Sequence, residues 1–125
     1  MKKKIGIVSL WILQILLAFV FTQVGRDKFA NPFWEKYFRA WGYPEHFREF
    51  VGVVEGASGL AMLTPWTAPY GAAAAITIMT GALGHHLMRG EFRRAASPLV
   101  FLVFFGIAGW ARRPKFMRRE TAGAT

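Results

Sequence analysis

The chain has 125 residues with a formal net charge of +9, and 54% of the residues are hydrophobic whereas 18% are charged. A soluble domain of this size carries more charge, so the composition favours a membrane-embedded domain. The lysines and arginines stand in short clusters beside apolar runs, as membrane topology signals do, and we therefore expect no nucleic-acid partner. The absence of cysteine excludes thiol exchange, iron–sulfur clusters and thiolate zinc sites.

The first apolar run covers residues 5–24 and is long enough to cross a hydrocarbon core of about 30 Å. No small-residue cleavage site precedes Gly25, so we interpret the run as a retained anchor rather than as a signal peptide. The segment Gly25-Arg26-Asp27-Lys28-Phe29 predicts the end of this helix.

A short amphipathic helix is predicted next, capped by Asn31 and opened by Pro32. Its aromatic residues recur at helical spacing opposite the charged ones, which is typical of a helix lying in the membrane interface, where we expect it to roof the bundle. We interpret the aromatic residues of this stretch as interface anchors: Trp34, Tyr37, Trp41 and Tyr43. The segment Gly42-Tyr43-Pro44 ends the helix, and Pro44 is predicted to begin the next one.

Three further spans are predicted at residues 47–64, 69–88 and 95–111, with Pro98 in the first turn of the last. A basic, mobile tail follows at residues 112–125. The predicted fold is thus an all-α membrane protein, a single domain in which four transmembrane helices form a bundle and the amphipathic helix lies between the first two.

Four spans place both termini on the same face of the membrane. The lysines at positions 2–4 precede the first span directly, and such a cluster usually determines orientation. We therefore expect a multi-pass protein of the cell (inner) membrane with both termini in the cytoplasm.

Glu55 is the main candidate functional residue, because it lies at hydrocarbon depth within the small, apolar run at residues 51–63. An ionisable side chain at that depth usually faces a bundle interior and finds a partner there. Gly52, Gly56 and Gly59 line one stripe of the same helix, where another helix can approach closely. A purely structural role, in which Glu55 pins two helices through a buried hydrogen bond, is an equal alternative.

Hairpin topology brings further polar residues to the same end of the bundle as Glu55. We expect them to form a ligand-binding pocket under the amphipathic helix: Gln23, Lys28, Glu55, Thr80 and His85. Within it, Lys28 or an imidazole would pair with Glu55, and Glu55 with His85 would handle protons.

His85 and His86 point about 100° apart on a helix, so at most one is expected to face the pocket well. The neighbouring glycines at positions 81 and 84 favour His85. The remaining histidine, His46, lies in a loop, so we expect no metal or haem site.

The order of these motifs resembles the DoxX family. The resemblance rests on Gly25-Arg26-Asp27-Lys28-Phe29 after the first helix, Gly42-Tyr43-Pro44 in the loop, and Val54-Glu55-Gly56-Ala57-Ser58-Gly59, and it covers nearly the whole chain. It implies a four-helix membrane protein. The family takes its name from a subunit of an archaeal quinol oxidase and thiosulfate:quinone oxidoreductase system, which implies quinone-linked chemistry, while the wider superfamily includes sterol isomerases and membrane chaperones.

The leading hypothesis is an accessory component of a membrane redox system that binds a quinone or isoprenoid lipid near Glu55, has no cofactor of its own, and works with a membrane protein partner. A non-enzymatic chaperone or assembly subunit, with Glu55 and the glycine stripe as its interface, is the alternative. Small-solute transport is a weaker third, since the sequence contains neither an inverted repeat nor a broken helix.

Overall fold

The computed structural model describes residues 2–44 and 46–114. In this part of the chain the fold is entirely helical, with five helices and no strand. They are α1 (Lys2–Ala30), α2 (Pro32–Ala40), α3 (Phe47–Ala61), α4 (Ala68–Met88) and α5 (Phe92–Ala111). The all-α class and the short helix between the first two long ones are confirmed.

Helix α1 runs to Ala30, so the prediction that it ends at residue 24 is wrong. Gly25 lies inside this helix at a close contact with α3, where a Cβ would lie 2.5 Å from the Gly52 carbonyl oxygen. The helix ends where α2 begins. As predicted, Asn31 caps α2 by accepting a hydrogen bond from the Phe33 N–H, and proline occupies the first turn.

The predictions for the two other prolines at helix starts are wrong. Helix α3 begins at Phe47 rather than at Pro44. Pro98 lies inside α5 rather than in its first turn, because this helix already begins at Phe92. Having no N–H, Pro98 leaves the Arg94 carbonyl without the usual helical donor.

The connection between α3 and α4 is tight. Helix α3 ends at Ala61, before the predicted residue 64, and the Thr67 hydroxyl donates to the Ala61 carbonyl oxygen at 2.7 Å. Thr67 also bonds the Thr64 hydroxyl across the turn. The two helices therefore run antiparallel, as the short loop predicts.

The helices pack mainly in three pairs, α1 with α3, α4 with α5, and α3 with α4, while α2 contacts α1 and α3. Phe21 and Phe105 meet edge to face near the centre, with ring centroids 4.5 Å apart. The buried core otherwise consists of mostly small or flexible apolar residues: Leu17, Ala18, Met62, Ala68, Ala72, Ala75, Met79 and Ala108.

Two helices in the described part of the chain are long and apolar enough to cross a membrane, Lys4–Ala30 and Phe92–Ala111. Their outward faces are apolar, with side chains such as Ile12, Phe19 and Val103 more than half exposed. Helix α3 has 15 residues, fewer than the roughly 20 that a perpendicular span needs. The four-span arrangement therefore stays a prediction.

Gln14 joins three helices at the end of the bundle opposite α2. Its Nε2 donates to the Met62 carbonyl oxygen at 2.9 Å, and its Oε1 accepts from Arg112 Nε at 2.8 Å. The Arg112 guanidinium also lies 5.1 Å from the centre of the Trp11 ring. Arg112, predicted to begin a mobile tail, is thus held against α1. The tail from residue 115 onward lies outside the described residues.

Candidate ligand-binding site

A cavity of about 740 Å³ lies under α2 and is lined by residues of all five helices. Its volume is in the range of sites that hold organic ligands. The walls are rich in aromatic side chains: Phe21, Phe33, Trp34, Tyr37, Phe38, Trp41, Tyr43, Phe47, Phe50 and Phe101. Helix α2 contributes part of this lining and contacts α1 and α3, which agrees with the predicted roof.

A buried ion pair forms part of the cavity wall. Lys28 Nζ lies 3.3 Å from Glu55 Oε1, and the two residues are 6% and 1% exposed. The ammonium also lies 3.9 Å from the centre of the Trp34 ring, and the Trp34 indole donates to Asp27 Oδ2 at 2.6 Å. Lys28 is therefore the partner of Glu55 expected from the sequence, and the roof helix contacts the same cation.

Glycines allow α1 and α3 to approach closely beside Glu55. A Cβ on Gly25 would lie 2.7 Å from the Gly56 backbone nitrogen, and a Cβ on Gly59 would lie 3.0 Å from α1 backbone atoms. The predicted stripe is confirmed at Gly52 and Gly59, which both face α1. At Gly56 the space for a Cβ is open, with no atom within 4 Å. Backbone contact between α1 and α3 thus brings the lysine and the carboxylate together.

Glu55 Oε1 is paired with Lys28 Nζ at 3.3 Å and has no further hydrogen-bond partner among the described residues. A buried carboxylate oxygen normally accepts one or more hydrogen bonds. This oxygen therefore retains capacity for a donor on a bound molecule.

His85 is the second polar group of the cavity. Its Nδ1 lies 2.9 Å from the Tyr43 hydroxyl, and its Nε2 is buried with no partner among the described residues. Trp41 packs against both histidine rings, 4.4 Å from that of His85 and 6.1 Å from that of His86. Both histidines line the cavity, so the expectation that at most one faces it is wrong.

Gln23 and Thr80 are exposed and are not among the residues that line the cavity. The Thr80 hydroxyl donates to the Ile76 carbonyl within its own helix at 2.7 Å. Thr77, one turn earlier, lines the cavity instead. The structure thus brings Lys28, Glu55 and His85 to the cavity and leaves the other two predicted site residues outside it.

The aromatic residues predicted as interface anchors, Trp34, Tyr37, Trp41 and Tyr43, line the cavity. Their spacing on one face of a short helix is the signal that could have shown this. Arg94 was also missed: its Nη2 donates to the Tyr37 hydroxyl at 2.9 Å, and its guanidinium lies 5.0 Å from that ring. This arginine connects the start of α5 to α2.

Beside Arg94, the connection between α4 and α5 carries Glu91. Its Oε1 lies 3.2 Å from His86 Nδ1, and its Oε2 lies 3.4 Å from Arg94 Nη1. The hydrogen bond with His86 is the main cause that lowers the pKa of Glu91. The carboxylate is therefore ionised near neutral pH.

The family model of the DoxX-like family matches residues 12–108, more than three quarters of the chain. No curated protein and no solved structure matches this chain. The matched region contains the cavity wall formed by Lys28, Glu55 and His85, and with the two apolar helices it indicates a membrane protein in contact with the lipid bilayer. The chain belongs to the DoxX-like family.

Proposed function

We propose that this protein binds a quinone or another isoprenoid lipid in the cavity under α2, as an accessory component of a membrane redox system. The observation that carries the proposal is the combination of an aromatic-walled cavity of about 740 Å³ with a buried ion pair in its wall. Such a site suits a ligand with a large apolar part and one or two polar atoms.

The wall chemistry fits a quinone head group in particular. Aromatic side chains pack against a flat ring in offset or edge-to-face geometry. A quinone carbonyl oxygen needs a donor, and the Lys28 ammonium and the His85–Tyr43 pair are the donors available in the wall. His85 would orient one oxygen of the ring, and the apolar lining would hold the isoprenoid chain.

Glu55 would handle the protons of the reaction. Reduction of a quinone to a quinol takes two electrons and two protons, and a carboxyl group beside the oxygen can supply or accept one of those protons. The chain has no cysteine and hence no dithiol centre of its own. The electrons would come from a redox-active membrane protein partner.

A quenching titration tests the proposal. The purified protein is placed in quinone-free lipid nanodiscs and titrated with a short-tailed benzoquinone while tryptophan fluorescence is recorded. We expect saturable quenching that disappears in a Trp34→Phe, Trp41→Phe double variant and persists when the exposed Trp66 and Trp110 are changed to Phe. Linear quenching, equal in all forms, would contradict binding in the cavity.

Glu55→Gln isolates the carboxylate within the same titration. A quinone offers only acceptor oxygens, so this comparison uses the matching quinol, whose hydroxyl can donate to the Glu55 carboxylate. Loss of that hydrogen bond to a charged group, about 1.5 to 3 kcal/mol, should weaken quinol binding by roughly 10-fold to 100-fold. The matched control is Glu35→Gln, because Glu35 lies on α2 with its side chain 53% exposed. If instead native mass spectrometry finds an empty cavity and a stoichiometric protein partner, the chaperone or assembly function is supported.

We further propose that all four long helices cross the membrane, with both termini in the cytoplasm of an inner membrane. The contact of Arg112 with Gln14 supports common placement of the end of α5 and the first half of α1. The natural chain lacks cysteine, so single cysteines at Trp66 and Lys36 can be labelled in intact cells with an impermeant maleimide. Labelling at position 36 but not at 66 is expected, and the reverse pattern would invert the orientation.

A further inference from the structure

A cluster of three metal-binding side chains lies where α4 ends. His85, His86 and Glu91 each offer a ligand atom, and these atoms all lie within 4.8 Å of one another. Two of the three residues line the cavity. The sequence argued against a metal site because His46 was the only further histidine, but the fold supplies a carboxylate in its place.

A glycine turn fixes the position of the carboxylate. Gly90 has a φ of +72°, which allows the chain to reverse directly after α4. The Glu91 N–H then donates to the His86 carbonyl oxygen at 2.8 Å, and the Gly90 N–H donates to Leu87 at 3.2 Å. Glu91 is thereby held over the last turn of the helix that carries both histidines.

The surroundings of His85 resemble those of a metal ligand. Metal-binding histidines usually donate one ring N–H to a neighbouring oxygen and use the other nitrogen for the ion. Here Nδ1 lies 2.9 Å from the Tyr43 hydroxyl, and Nε2 is buried without a partner among the described residues. With Nδ1–H donating to Tyr43, the lone pair on Nε2 is free.

We propose that His85, His86 and Glu91 bind one divalent transition-metal ion, for which Zn²⁺ is the best chemical match. Two imidazole nitrogens and one carboxylate oxygen are ligands that Zn²⁺ accepts in a tetrahedral site, where the fourth position stays open. Because His85 and His86 line the cavity, the open position would be accessible from it. This site goes beyond lipid binding and does not depend on it. With the ion bound, His85 Nε2 is a metal ligand, and the Tyr43 hydroxyl and the Lys28 ammonium remain as the donors for a quinone oxygen.

One pair of ligand atoms already has the separation that a bound ion requires. Ligand atoms about 2.0 to 2.1 Å from a tetrahedral Zn²⁺ lie roughly 3.4 Å apart, and His86 Nδ1 and Glu91 Oε1 are already 3.2 Å apart. Arg94 lies 3.4 Å from the other carboxylate oxygen, Oε2. Its positive charge, and that of Arg89 near His85, reduces the affinity without occupying Oε1.

The test uses the metal alone. The detergent-purified protein, carrying a histidine-free affinity tag and stripped with a chelator, is titrated with Co²⁺, whose visible absorption strengthens in tetrahedral nitrogen and oxygen coordination. We expect saturation at one equivalent and full displacement by Zn²⁺. Tyr43→Phe, which removes only the oxygen bonded to His85, is expected to weaken binding by about tenfold.

His86→Ala and Glu91→Gln each remove a ligand and are expected to abolish the saturable absorption. His46→Ala is the matched control, because His46 forms an exposed pair with Glu49 at 3.6 Å, outside the cluster. Circular dichroism and gel filtration establish that each variant is folded. Absence of one-equivalent binding in the wild type, unchanged binding in Glu91→Gln, or equal loss in His46→Ala would overturn the site. None of these readouts depends on a quinone.

Discussion

The two ends of the helix bundle use buried polar groups in opposite ways. At one end, Gln14 uses both its amide nitrogen and its amide oxygen to join α1, α3 and the end of α5. At the other end, Glu55 Oε1 and His85 Nε2 are buried with no hydrogen-bond partner among the described residues, and they border a cavity of about 740 Å³. At the first end the bonds of Gln14 join the helices and one buried atom, Arg112 Nη2, has no partner among the described residues, whereas at the second end the unpartnered atoms border a cavity and retain bonding capacity for another molecule.

The largest effect is expected from breaking the ion pair at the cavity end. Lys28→Met leaves Glu55 buried without its cation and should lower the free energy of unfolding by about 3 kcal/mol or more. Glu55→Gln keeps a polar group of the same shape and should cost about 1 to 2 kcal/mol. Unfolding in mixed micelles measures both.

The double variant distinguishes a true pair from two independent sites. If Lys28 and Glu55 act together, their combined loss should be smaller than the sum of the single losses by more than about 1 kcal/mol. Additive losses would mean that the two side chains do not depend on each other.

Gly25→Ala tests whether the backbone contact between α1 and α3 sets the depth of Glu55. A Cβ at this position would lie 2.5 Å from a backbone oxygen of Gly52, so the helices must separate, at a cost of about 1 to 3 kcal/mol. Gly56→Ala is the control, because its Cβ would meet no atom within 4 Å. Thermal unfolding in detergent should therefore change for the first variant only, and equal changes would refute the assigned contact.

The variant Gln14→Leu tests the contribution of the hydrogen bonds at the Gln14 end of the bundle. Loss of the bonds to Met62 and Arg112 should cost about 1 to 2 kcal/mol. Benzoquinone binding should be unchanged, and the stability loss should add to that of Lys28→Met, because the sites share no partner. A large drop in binding would show that the two ends are coupled.

The smallest effect is expected at the outer face of the roof. Arg39 pairs with Glu35 at 3.2 Å, but the two side chains are 77% and 53% exposed. Arg39→Ala should change the free energy of unfolding by at most about 0.5 kcal/mol. A larger loss, or weaker ligand binding, would indicate that this face contacts a partner.

The sequence predicted the features that depend on periodicity and on chain reversal. Aromatic spacing in residues 33–41 predicted the roof, and antiparallel topology brought Lys28 to Glu55. The sequence did not predict the role of Gly25. A glycine at a close helix contact cannot be told from a glycine that ends a helix until the neighbouring helix is known.

Gln23 and Thr80 were placed in the pocket because of their positions along the helix axes. The direction in which a side chain points around the axis also decides whether it faces the bundle. Gln14 and Gln23 are nine residues apart and therefore point about 180° apart, so only one can face the bundle. Gln14, Phe21 and Lys28 follow each other at intervals of seven, and all three are buried. Once Lys28 is assigned inward, this spacing selects Gln14. The same reasoning separates Thr80 from His85, which lies about 140° away around α4.

The roof has a kinetic consequence for any occupant of the cavity. On one side α2 is fastened by the bond from Trp34 to Asp27, and on the other by the bond from Arg94 to Tyr37. A molecule can leave through this side only after these two hydrogen bonds break. We therefore expect the residence time along this route to depend on displacement of the nine residues Pro32–Ala40 as well as on the strength of the molecule's own contacts.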